Sequence, residues 1–534
     1  MKTVKRLVLA VLCLSLVLSM FAGCSKNGGY KEEDVSVVPE DSYEINWVLY
    51  TAADKPENDA VNRIEEKVNE YLKDKINATV NMTYFNAGEY QEKMNAKIQA
   101  NEYYDICFTA SWMLAYKDTA KLGAWVSLDD IVESTGKSRF ETYMPGIYEE
   151  VGETLDNCKA SDGHVYGVPV PKELAENRGW TYRQDIVDEM GLNPENWVYD
   201  DDYSRYKSFE LIKEDLLKVK AQYPDDFSNP IDWDGQRTPT QFLGTSAGVA
   251  YLSVLEHKWR DNPEYKGKYV DLVTTPEYQE CIAIARDFVE SGLIKGDVAT
   301  ATDFNDRVKA GKTFAYAEFL KPGKTAELKS TYNYDFGQVD VTPITLGSTA
   351  GPGAMMSISR TSKNPVRCMR FLELFNTDEY LHNLIIYGEE DVDYKVVDTA
   401  SNGVKVVEVI KDGGYSNSGN QWAMGNVFID YVTTTEDPEK GQKLKEYNDR
   451  AIPAQTLGFS PNLDEIKTYT DSLKTIQGEY KSQLELGTTS AAQCEKLIDE
   501  MQSRMEQNKK QEVWDELQRQ FTEFCESHPE NFEE

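Results

Sequence analysis

Histidine and paired cysteine are scarce in this 534-residue chain, and their scarcity removes several classes of site. The sequence has 4 histidines and 8 cysteines, with no Cys-x-x-Cys pair and no His-x-x-x-His pair. Zinc and other transition-metal sites need clusters of these ligands, so none is expected. A phosphate-binding Walker loop and an Asp-x-Asp-x-Asp-Gly calcium loop are also missing. We therefore expect no bound metal or cofactor and no nucleotide hydrolysis by this chain.

Basic residues are also in the minority. The chain has 57 Lys and Arg against 91 Asp and Glu, a net charge of -34 that would become -37 if a leader carrying Lys2, Lys5 and Arg6 were removed. Nucleic-acid binding rests on cations that neutralise phosphates, so such acidity excludes nucleic acid as a partner. It also disfavours a surface that lies flat on anionic lipid. An apolar share of 40% is typical of a globular protein.

The first 42 residues predict export followed by a lipid anchor. A basic head and the apolar run Leu7–Leu18 form a signal peptide over residues 1–23, too short for a permanent membrane span. The ending Phe21-Ala22-Gly23-Cys24 resembles the lipobox of bacterial lipoproteins, in which Cys24 would be acylated. The alternative is a plain secretory signal with an incidental cysteine. Residues 24–42 are polar and predict a flexible tether on the outer face of the membrane.

The remaining cysteines are scattered, mostly within apolar patterns. A free cysteine in such a pattern behaves as a small buried hydrophobic residue, so we expect mostly free thiols, with a disulfide framework as the alternative. The residues concerned are Cys107, Cys158, Cys281, Cys368, Cys494 and Cys525.

The segment after the tether alternates between strand and helix patterns, which predicts a parallel sheet of the α/β class. Ligands of such sheets lie beyond the carboxyl ends of the strands, so Tyr50, Thr51 and Trp112 are expected at one rim. Charged residues with apolar spacing and no proline predict a long helical tail over 463–527. The predicted strands are 43–50, 78–85 and 105–109, and the predicted helices are 61–72, 90–100, 209–220, 275–291 and 365–375.

An ordered set of motifs resembles the family 1 extracellular solute-binding proteins of ABC importers, the carbohydrate-binding type. Asp162-Gly163-His164-Val165-Tyr166-Gly167-Val168-Pro169 is the most specific match. The region from Asn383 onward resembles the Lpl/LipO-type lipoprotein branch of the family. The other matching segments are 105–109, 122–130, 180–192, 309–315 and 371–379.

The resemblance implies a two-lobed, periplasmic-binding-protein-like α/β fold of type II, with a ligand cleft between the lobes and a helical C-terminal region. It implies capture of a carbohydrate, with an oligosaccharide favoured, and its delivery to a permease driven by a separate ATPase. The chain would act as a monomer without enzymatic activity. By analogy, the first lobe combines 43–168 with 338–385, and the second combines 169–337 with 386–534.

Sugar-binding clefts combine aromatic faces, which stack on C–H surfaces, with polar groups that pair with hydroxyls. Trp112, at the predicted rim, is either such a platform or a core residue. Trp180, Tyr182 and Arg183 lie on a predicted strand that follows the expected crossover between the lobes, near residues 167–170. One face of that strand should be buried, so not all three side chains can contact a ligand.

Three candidates remain in two loops. Glu318 follows a predicted strand and is either a ligand acceptor or a solvated carboxylate. Trp422 lies where related proteins place a stacking aromatic residue, and its loop is rich in Gly, Asn and Ser. Asn426 belongs to the same loop.

Two other classes of function remain open. A peptide-binding importer lipoprotein of the same fold is the nearer alternative. A secreted glycoside hydrolase would need two opposed carboxylates about 5–10 Å apart, and the abundance of acidic residues makes any candidate pair uninformative. Ser-His-Asp catalysis is disfavoured because no Gly-x-Ser-x-Gly nucleophile elbow is expected. In addition, His164 lies in a turn, whereas His257 and His382 lie in helical patterns.

Overall fold

The computed structural model describes residues 31–52, 55–201, 204–256, 262–348, 350–410 and 413–532. The predicted signal peptide, the acylated Cys24 and the start of the tether lie outside the described residues and stay predictions. None of the helices described has the length and apolarity that a membrane crossing requires.

The strands in chain order are β1 (Tyr43–Thr51), β2 (Ala78–Asn86), β3 (Ile106–Thr109), β4 (Gly167–Pro169), β5 (Asn177–Arg183), β6 (Thr245–Val249), β7 (Leu252–Leu255), β8 (Tyr269–Asp271), β9 (Ala315–Leu320), β10 (Phe336–Asp340), β11 (Thr345–Leu346), β12 (Met355–Ile358), β13 (Tyr394–Thr399), β14 (Lys405–Val409), β15 (Val432–Thr433) and β16 (Ile452–Pro453).

The α-helices are α1 (Asn58–Ile76), α2 (Ala87–Ala100), α3 (Tyr116–Lys121), α4 (Arg139–Tyr143), α5 (Pro145–Val151), α6 (Gln184–Met190), α7 (Ser208–Gln222), α8 (Pro276–Glu290), α9 (Phe304–Lys309), α10 (Lys324–Tyr332), α11 (Pro365–Thr377), α12 (Glu379–Tyr387), α13 (Lys440–Asp449), α14 (Lys467–Glu485), α15 (Ala491–Gln507) and α16 (Lys510–Ser527). The strands and helices predicted from periodicity are confirmed, and the predicted helical tail resolves into α14, α15 and α16.

The first lobe is built on a five-stranded sheet with the order β2-β1-β3-β12-β4. Strands β2, β1 and β3 are parallel, as the strand–helix alternation predicts, whereas β12 runs antiparallel to both β3 and β4. The parallel register pairs Tyr50 with Phe85 and Thr51 with Asn86. The carboxyl ends of these strands therefore form one edge, where the sequence places its candidate ligand residues.

Helices cover this sheet and close its core. The buried positions of α1, among them Val61, Ile64 and Val68, recur at helical spacing. Trp47 of β1 packs edge-on against Phe371 and Phe375 of α11, at ring-centroid distances of 5.4 and 5.3 Å. These contacts hold β1 rigidly, and with it the sheet edge.

The lobe boundaries in the structure differ from those expected from the sequence. Strand β10 pairs with β5, so residues 338–340 belong to the second lobe. Residues 394–431 belong to the first-lobe core, to which Tyr394, Tyr415 and Tyr431 contribute. The reason is long-range tyrosine packing and hydrogen bonding, such as the bond from the Tyr415 hydroxyl to the Ile385 carbonyl at 2.8 Å, which no local pattern reveals.

Two three-stranded sheets of the second lobe each line a hydrophobic core. The sheet β10-β5-β9 is antiparallel, and its core is rich in aromatic residues that include Trp180, Phe209 and Phe314. The sheet β6-β7-β8 forms another core with the tail helices, in which Leu473 and Phe521 are fully buried. The C-terminal helices are thus an integral part of the second lobe.

The predicted free thiols are confirmed. All six cysteines after the tether are unpaired, and all but Cys525 are buried. Burial raises the pKa of the Cys158 thiol to about 12, so that thiol stays protonated and unreactive at neutral pH.

Candidate functional site

A cleft opens where the chain crosses between the lobes. The amide of Val170 still bonds to Ala354 of the first lobe at 3.0 Å, whereas β5 of the second lobe begins at Asn177. A cavity of about 400 Å³ lies beside this crossover. Its walls come from both lobes and include Gly351, Gly353 and Trp422 on one side and Glu173, Phe319 and Lys321 on the other.

Two further cavities extend the cleft. One, of about 220 Å³, shares Glu176 and Phe319 with the first cavity. The other, of about 300 Å³, shares Ala247 and Ser348 with the cavity of about 220 Å³. Shared walls make one elongated cleft, whose size is in the range of ligand pockets and suits a chain-like ligand better than a single small unit.

The first lobe presents an aromatic platform to this cleft. The rings of Trp112 and Trp422 lie 6.0 Å apart at 33°, and the ring of Tyr50 meets both edge-on at 5.9 and 6.1 Å. Trp112 is 52% exposed, and its indole N–H donates to the Gly353 carbonyl at 2.8 Å. We call Tyr50, Trp112 and Trp422 the aromatic platform. The structure brings these three candidates together, with Tyr50 buried beneath the two indoles.

Strand ends and one asparagine build the platform. Tyr50 is the penultimate residue of β1, and Trp112 follows β3. Beyond it, Leu114 and Ala115 adopt positive φ angles of 56° and 32° that turn the chain sharply. The side chain of Asn420 accepts from the Ala52 amide at 2.8 Å and donates to the Thr51 hydroxyl at 2.7 Å. The turn that carries Trp422 is thereby fastened to the end of β1.

Thr51 consequently has another role than the sequence suggested. Its side chain is fully buried, and its hydroxyl accepts a hydrogen bond from the Asn420 side chain. It fixes the platform and does not face the cleft as a ligand contact.

The second lobe contributes an aromatic ring that the sequence analysis missed. Phe319 is 43% exposed and lines two of the cavities. The antiparallel register of β5 and β9 pairs it with Arg178, whose guanidinium lies 3.6 Å from the ring centroid. The local sequence carries no signal for it, because Ala315 and Ala317 on the same face of β9 are buried.

Fixed charges lie beside the crossover. The carboxylate of Glu173 pairs with Lys172 at 3.1 Å and with Lys321 at 3.2 Å, and Lys321 also pairs with Glu327 at 3.0 Å. Burial acts to raise the pKa of Glu173, but the two lysines outweigh it and lower that pKa to about 2. The network stays ionised at neutral pH and presents little net charge to a ligand.

Trp180 and Tyr182 are not available to a ligand. Trp180 is 0% exposed, packed between Phe209 and Phe242 at ring-centroid distances of 4.6 and 5.7 Å. Tyr182 is buried against Trp197 at 5.2 Å. The reason is that β5 is the central strand of its sheet, so the face that carries both rings is covered by the helical layer.

The three remaining polar candidates form contacts within the protein, away from the cleft cavities. Arg183 pairs with Asp185 at 2.6 Å and stacks on Tyr334, and Glu318 pairs with Arg237 at 3.2 Å. Asn426 is buried, with its amide donating to the Asn376 carbonyl at 2.9 Å. None of the three lines the cavities described above.

The sequence around Ser246 can be compared with the nucleophile motif of hydrolases. Gly244-Thr245-Ser246-Ala247-Gly248 fits the Gly-x-Ser-x-Gly pattern, so the expectation that the chain has no such motif is wrong. A nucleophile elbow joins a strand to a helix, whereas Ser246 lies within β6, which turns back into β7. Its hydroxyl contacts Glu256 and Thr456, and no histidine among the described residues is bonded to it. His257 lies outside the described residues.

A carboxylate–histidine group lies on the first lobe. Ligand atoms of Asp129, Asp130 and His164 lie within 4.8 Å of one another. Asp130 pairs with Arg139 at 2.7 Å, and His164 pairs with Asp129 at 3.0 Å, a bond that raises the pKa of His164. These protein partners account for the group without a metal ion.

Polar contacts join the lobes along the cleft. The side chain of Asn157 in the first lobe accepts from the Gly458 amide, and Lys121 pairs with Asp464. Nearer the crossover, Lys445 pairs with Glu150 at 2.7 Å. The cleft is therefore bridged on both sides in this structure.

Two α/β lobes, several crossovers and a bridged cleft define the class of two-lobed ligand-binding proteins, which close around a captured ligand. Within that class, this chain belongs to the bacterial extracellular solute-binding protein family, which matches residues 66–388. A domain of unknown function matches residues 455–526, the segment of the tail helices. The expected family and two-lobed fold are confirmed, and the Lpl/LipO branch stays a prediction.

The relatives are transport proteins. A carbohydrate ABC transporter substrate-binding protein of Streptococcus pneumoniae is 23% identical over 479 residues, 89% of this chain and 90% of the relative. The crystal structure of an N-glycan transport solute binding protein, NgtS, from the same species is 22% identical with a TM-score of 0.75, covering 91% of this chain and 99% of that chain. The alginate-binding protein AlgQ2 is 14% identical with a TM-score of 0.58, covering 92% and 100%.

Proposed function

We propose that this protein is the substrate-binding component of an ABC importer and that it captures an oligosaccharide in the interlobe cleft. The observation that carries the proposal is the exposed ring of Trp112 beside the partly buried ring of Trp422, which lines the wall of an elongated cleft. The solute-binding family and a relative described as a carbohydrate transporter component support it.

The chemistry of a sugar matches this cleft. Pyranose rings have apolar C–H faces that stack on indoles, and their hydroxyls need donors and acceptors. The aromatic platform offers the faces, and the second-lobe wall offers Phe319 together with charged groups. Glu173 and its lysines are internally paired, so an uncharged ligand fits the cavity beside the crossover.

Transport would follow from capture. The lobes close over the sugar, and the closed protein docks on a permease that a separate ATPase drives. Acylated Cys24 would hold the protein on the outer face of the cell membrane through the tether. The chain itself alters no bond in the sugar and acts as a monomer.

The test is binding of purified mature protein to neutral oligosaccharides, measured by thermal shift and isothermal titration. A specific sugar is expected to raise Tm by mass action. The double variant Trp112→Ala/Trp422→Ala is expected to weaken binding by at least about tenfold, because it removes two stacking faces. The matched control is Tyr380→Ala, which removes an exposed first-lobe ring that lines none of these cavities.

Two outcomes would contradict the proposal. Binding of oligopeptides but of no sugar would favour the alternative importer class. Release of shorter sugars, detected by chromatography after incubation with the protein, would instead identify a glycoside hydrolase.

A further inference from the structure

The middle cavity of the cleft has several polar side chains in its wall, whereas the platform is aromatic. This cavity, of about 220 Å³, lies in the second lobe between β5 and β6. Its polar lining includes Asn177, Arg178, Gln241, Ser246 and Glu256. It shares Glu176 and Phe319 with the cavity that Trp422 lines, so one chain-like ligand can reach both places.

Asn177 has a buried amide atom without a partner. The residue is 2% exposed, and its Nδ2 has no hydrogen-bond partner within the described part of the chain. Its Oδ1 lies 2.9 Å from the Tyr447 hydroxyl, which also reaches the Leu320 carbonyl at 3.1 Å. An unsatisfied buried amide is costly, so a residue that lines a cavity in this state is suited to a ligand that pairs with it.

Arg178 offers further donors at the same place. Its guanidinium lies flat on Phe319 and donates only to the Gln236 carbonyl at 3.2 Å and to Gln241 at 3.4 Å. A guanidinium has five N–H donors, so several remain for a ligand. Within the described part of the chain no ion pair joins it to a carboxylate, and Glu176 and Glu318 act on its charge from a longer distance. Burial lowers the pKa of Arg178 to about 10, and it stays charged at neutral pH.

The platform and this cavity recognise different parts of a sugar. Stacking on indoles reads the apolar face of a ring with little dependence on its hydroxyls. A buried amide and a preoriented guanidinium recognise the positions of hydroxyls. A sugar whose hydroxyls do not pair with these groups leaves them without partners and binds more weakly.

We propose that the cavity around Asn177 and Arg178 is a separate, hydroxyl-reading subsite, which binds a sugar unit beyond the one stacked on the platform. The inference rests on the proposed function and deepens it. It implies that this protein prefers long oligosaccharides over short members of the same series, and that the preference originates in the second lobe.

The test compares short and long probes by isothermal titration with the mature protein. The probe pairs are Man1GlcNAc and Man5GlcNAc, maltose and maltohexaose, and xylobiose and xylohexaose. Arg178→Met is expected to weaken the long member of the bound series by about tenfold or more, since it removes charged hydrogen bonds, and to change the short member by less than about twofold. Asn177→Leu should act in the same direction.

The chain offers a matched control for the arginine. Arg183 lies on the same strand and also stacks on a ring, Tyr334, at 4.0 Å, but it lines none of the cavities. Arg183→Met should leave the affinity for both probes unchanged. Thermal unfolding of each variant shows that it is folded, and if Asn177→Leu unfolds, Arg178→Met alone decides.

The outcomes separate the two proposals. Equal weakening of short and long probes by Arg178→Met, or no weakening of either, would overturn the subsite while leaving carbohydrate capture intact. If the unmodified protein binds none of these sugars, both the carbohydrate function and the subsite built on it are contradicted.

Discussion

Trp112 and Trp180 are the same residue type, both placed by the sequence near a ligand, yet their surroundings are opposite. Trp112 is 52% exposed beside Trp422, whereas Trp180 is 0% exposed between two phenylalanines. Trp112 follows the end of β3, and Trp180 lies inside β5, which has neighbours on both edges. The comparison teaches that position relative to the end of a strand, and not residue type, decides which tryptophan is exposed.

The largest expected effect tests the buried member of this comparison. Trp180→Ala should lower the free energy of unfolding by about 3–5 kcal/mol, since it leaves a large cavity among Phe209 and Phe242. Trp112→Ala should lower it by less than about 1 kcal/mol, because the ring is exposed. Urea denaturation monitored by circular dichroism measures both. Similar losses in the two variants would contradict the assignment of Trp180 to the core.

A buried carboxyl of the second lobe makes the stability of the protein depend on pH. Burial raises the pKa of Glu256 from its usual 4.5 to about 7, against the hydrogen bonds from Thr456 that lower it. The unfolded chain therefore ionises first, so the stability that Glu256 contributes is complete below pH 4.5 and is lost as the pH rises to 7. The loss should amount to about 3 kcal/mol relative to Glu256→Gln, which does not titrate.

Urea denaturation at several pH values between 4.5 and 8 checks this prediction. The difference in unfolding free energy between Glu256→Gln and the unmodified protein should grow up to pH 7 and then stay level. Glu66→Gln, at an exposed position of α1, is the control. A difference that does not vary with pH would show that Glu256 is not held in a desolvated site.

An intermediate effect tests how the platform is held. Asn420→Ala removes both bonds that fasten the Trp422 turn to β1. The affinity for the bound sugar should fall by about tenfold, because Trp422 loses its fixed orientation. Asn420→Asp keeps an acceptor for the Ala52 amide and should lose less. Isothermal titration measures both, and an unchanged affinity for Asn420→Ala would show that the turn is held by other contacts.

The smallest expected effect concerns the contacts between lobes. Asp464→Ala and Lys445→Ala each remove one exposed ion pair between the lobes, the first with Lys121 and the second with Glu150. Exposed ion pairs contribute at most about 1 kcal/mol, so each variant should weaken sugar binding by less than about fivefold, mainly through faster dissociation. Stopped-flow fluorescence measures the rate. A larger loss in either variant would show that these bridges dominate closure of the lobes.

Much of the fold follows from local patterns. The alternation of strand and helix over the first 110 residues predicted the parallel part of the sheet, and the charged, proline-free tail predicted its helices. The antiparallel addition of β12 and the transfer of residues 394–431 to the first lobe were not predictable in this way. Both depend on partners that are distant in the chain and leave no periodic signal.

The site was predicted only in part, because contacts between residues distant in the chain also shape it. Tyr50, Trp112 and Trp422 were identified from strand ends and loop composition, and they meet in the structure. Phe319, Asn177 and Arg178 were missed because their exposure to the cleft depends on the register between β5 and β9 and on the wall formed by β6.

The sequence by itself determined the acidity, the family, the order of strands and helices and the free state of the thiols, because each rests on composition or on residues near one another in the chain. Only the tertiary structure decided which aromatic rings face the cleft. Thr51 and Asn420 are 369 positions apart, yet a hydrogen bond between them helps to fasten the turn that carries Trp422 to the end of β1. Such a contact is created by folding, since the energy of a hydrogen bond depends on distance in space and not on distance along the chain.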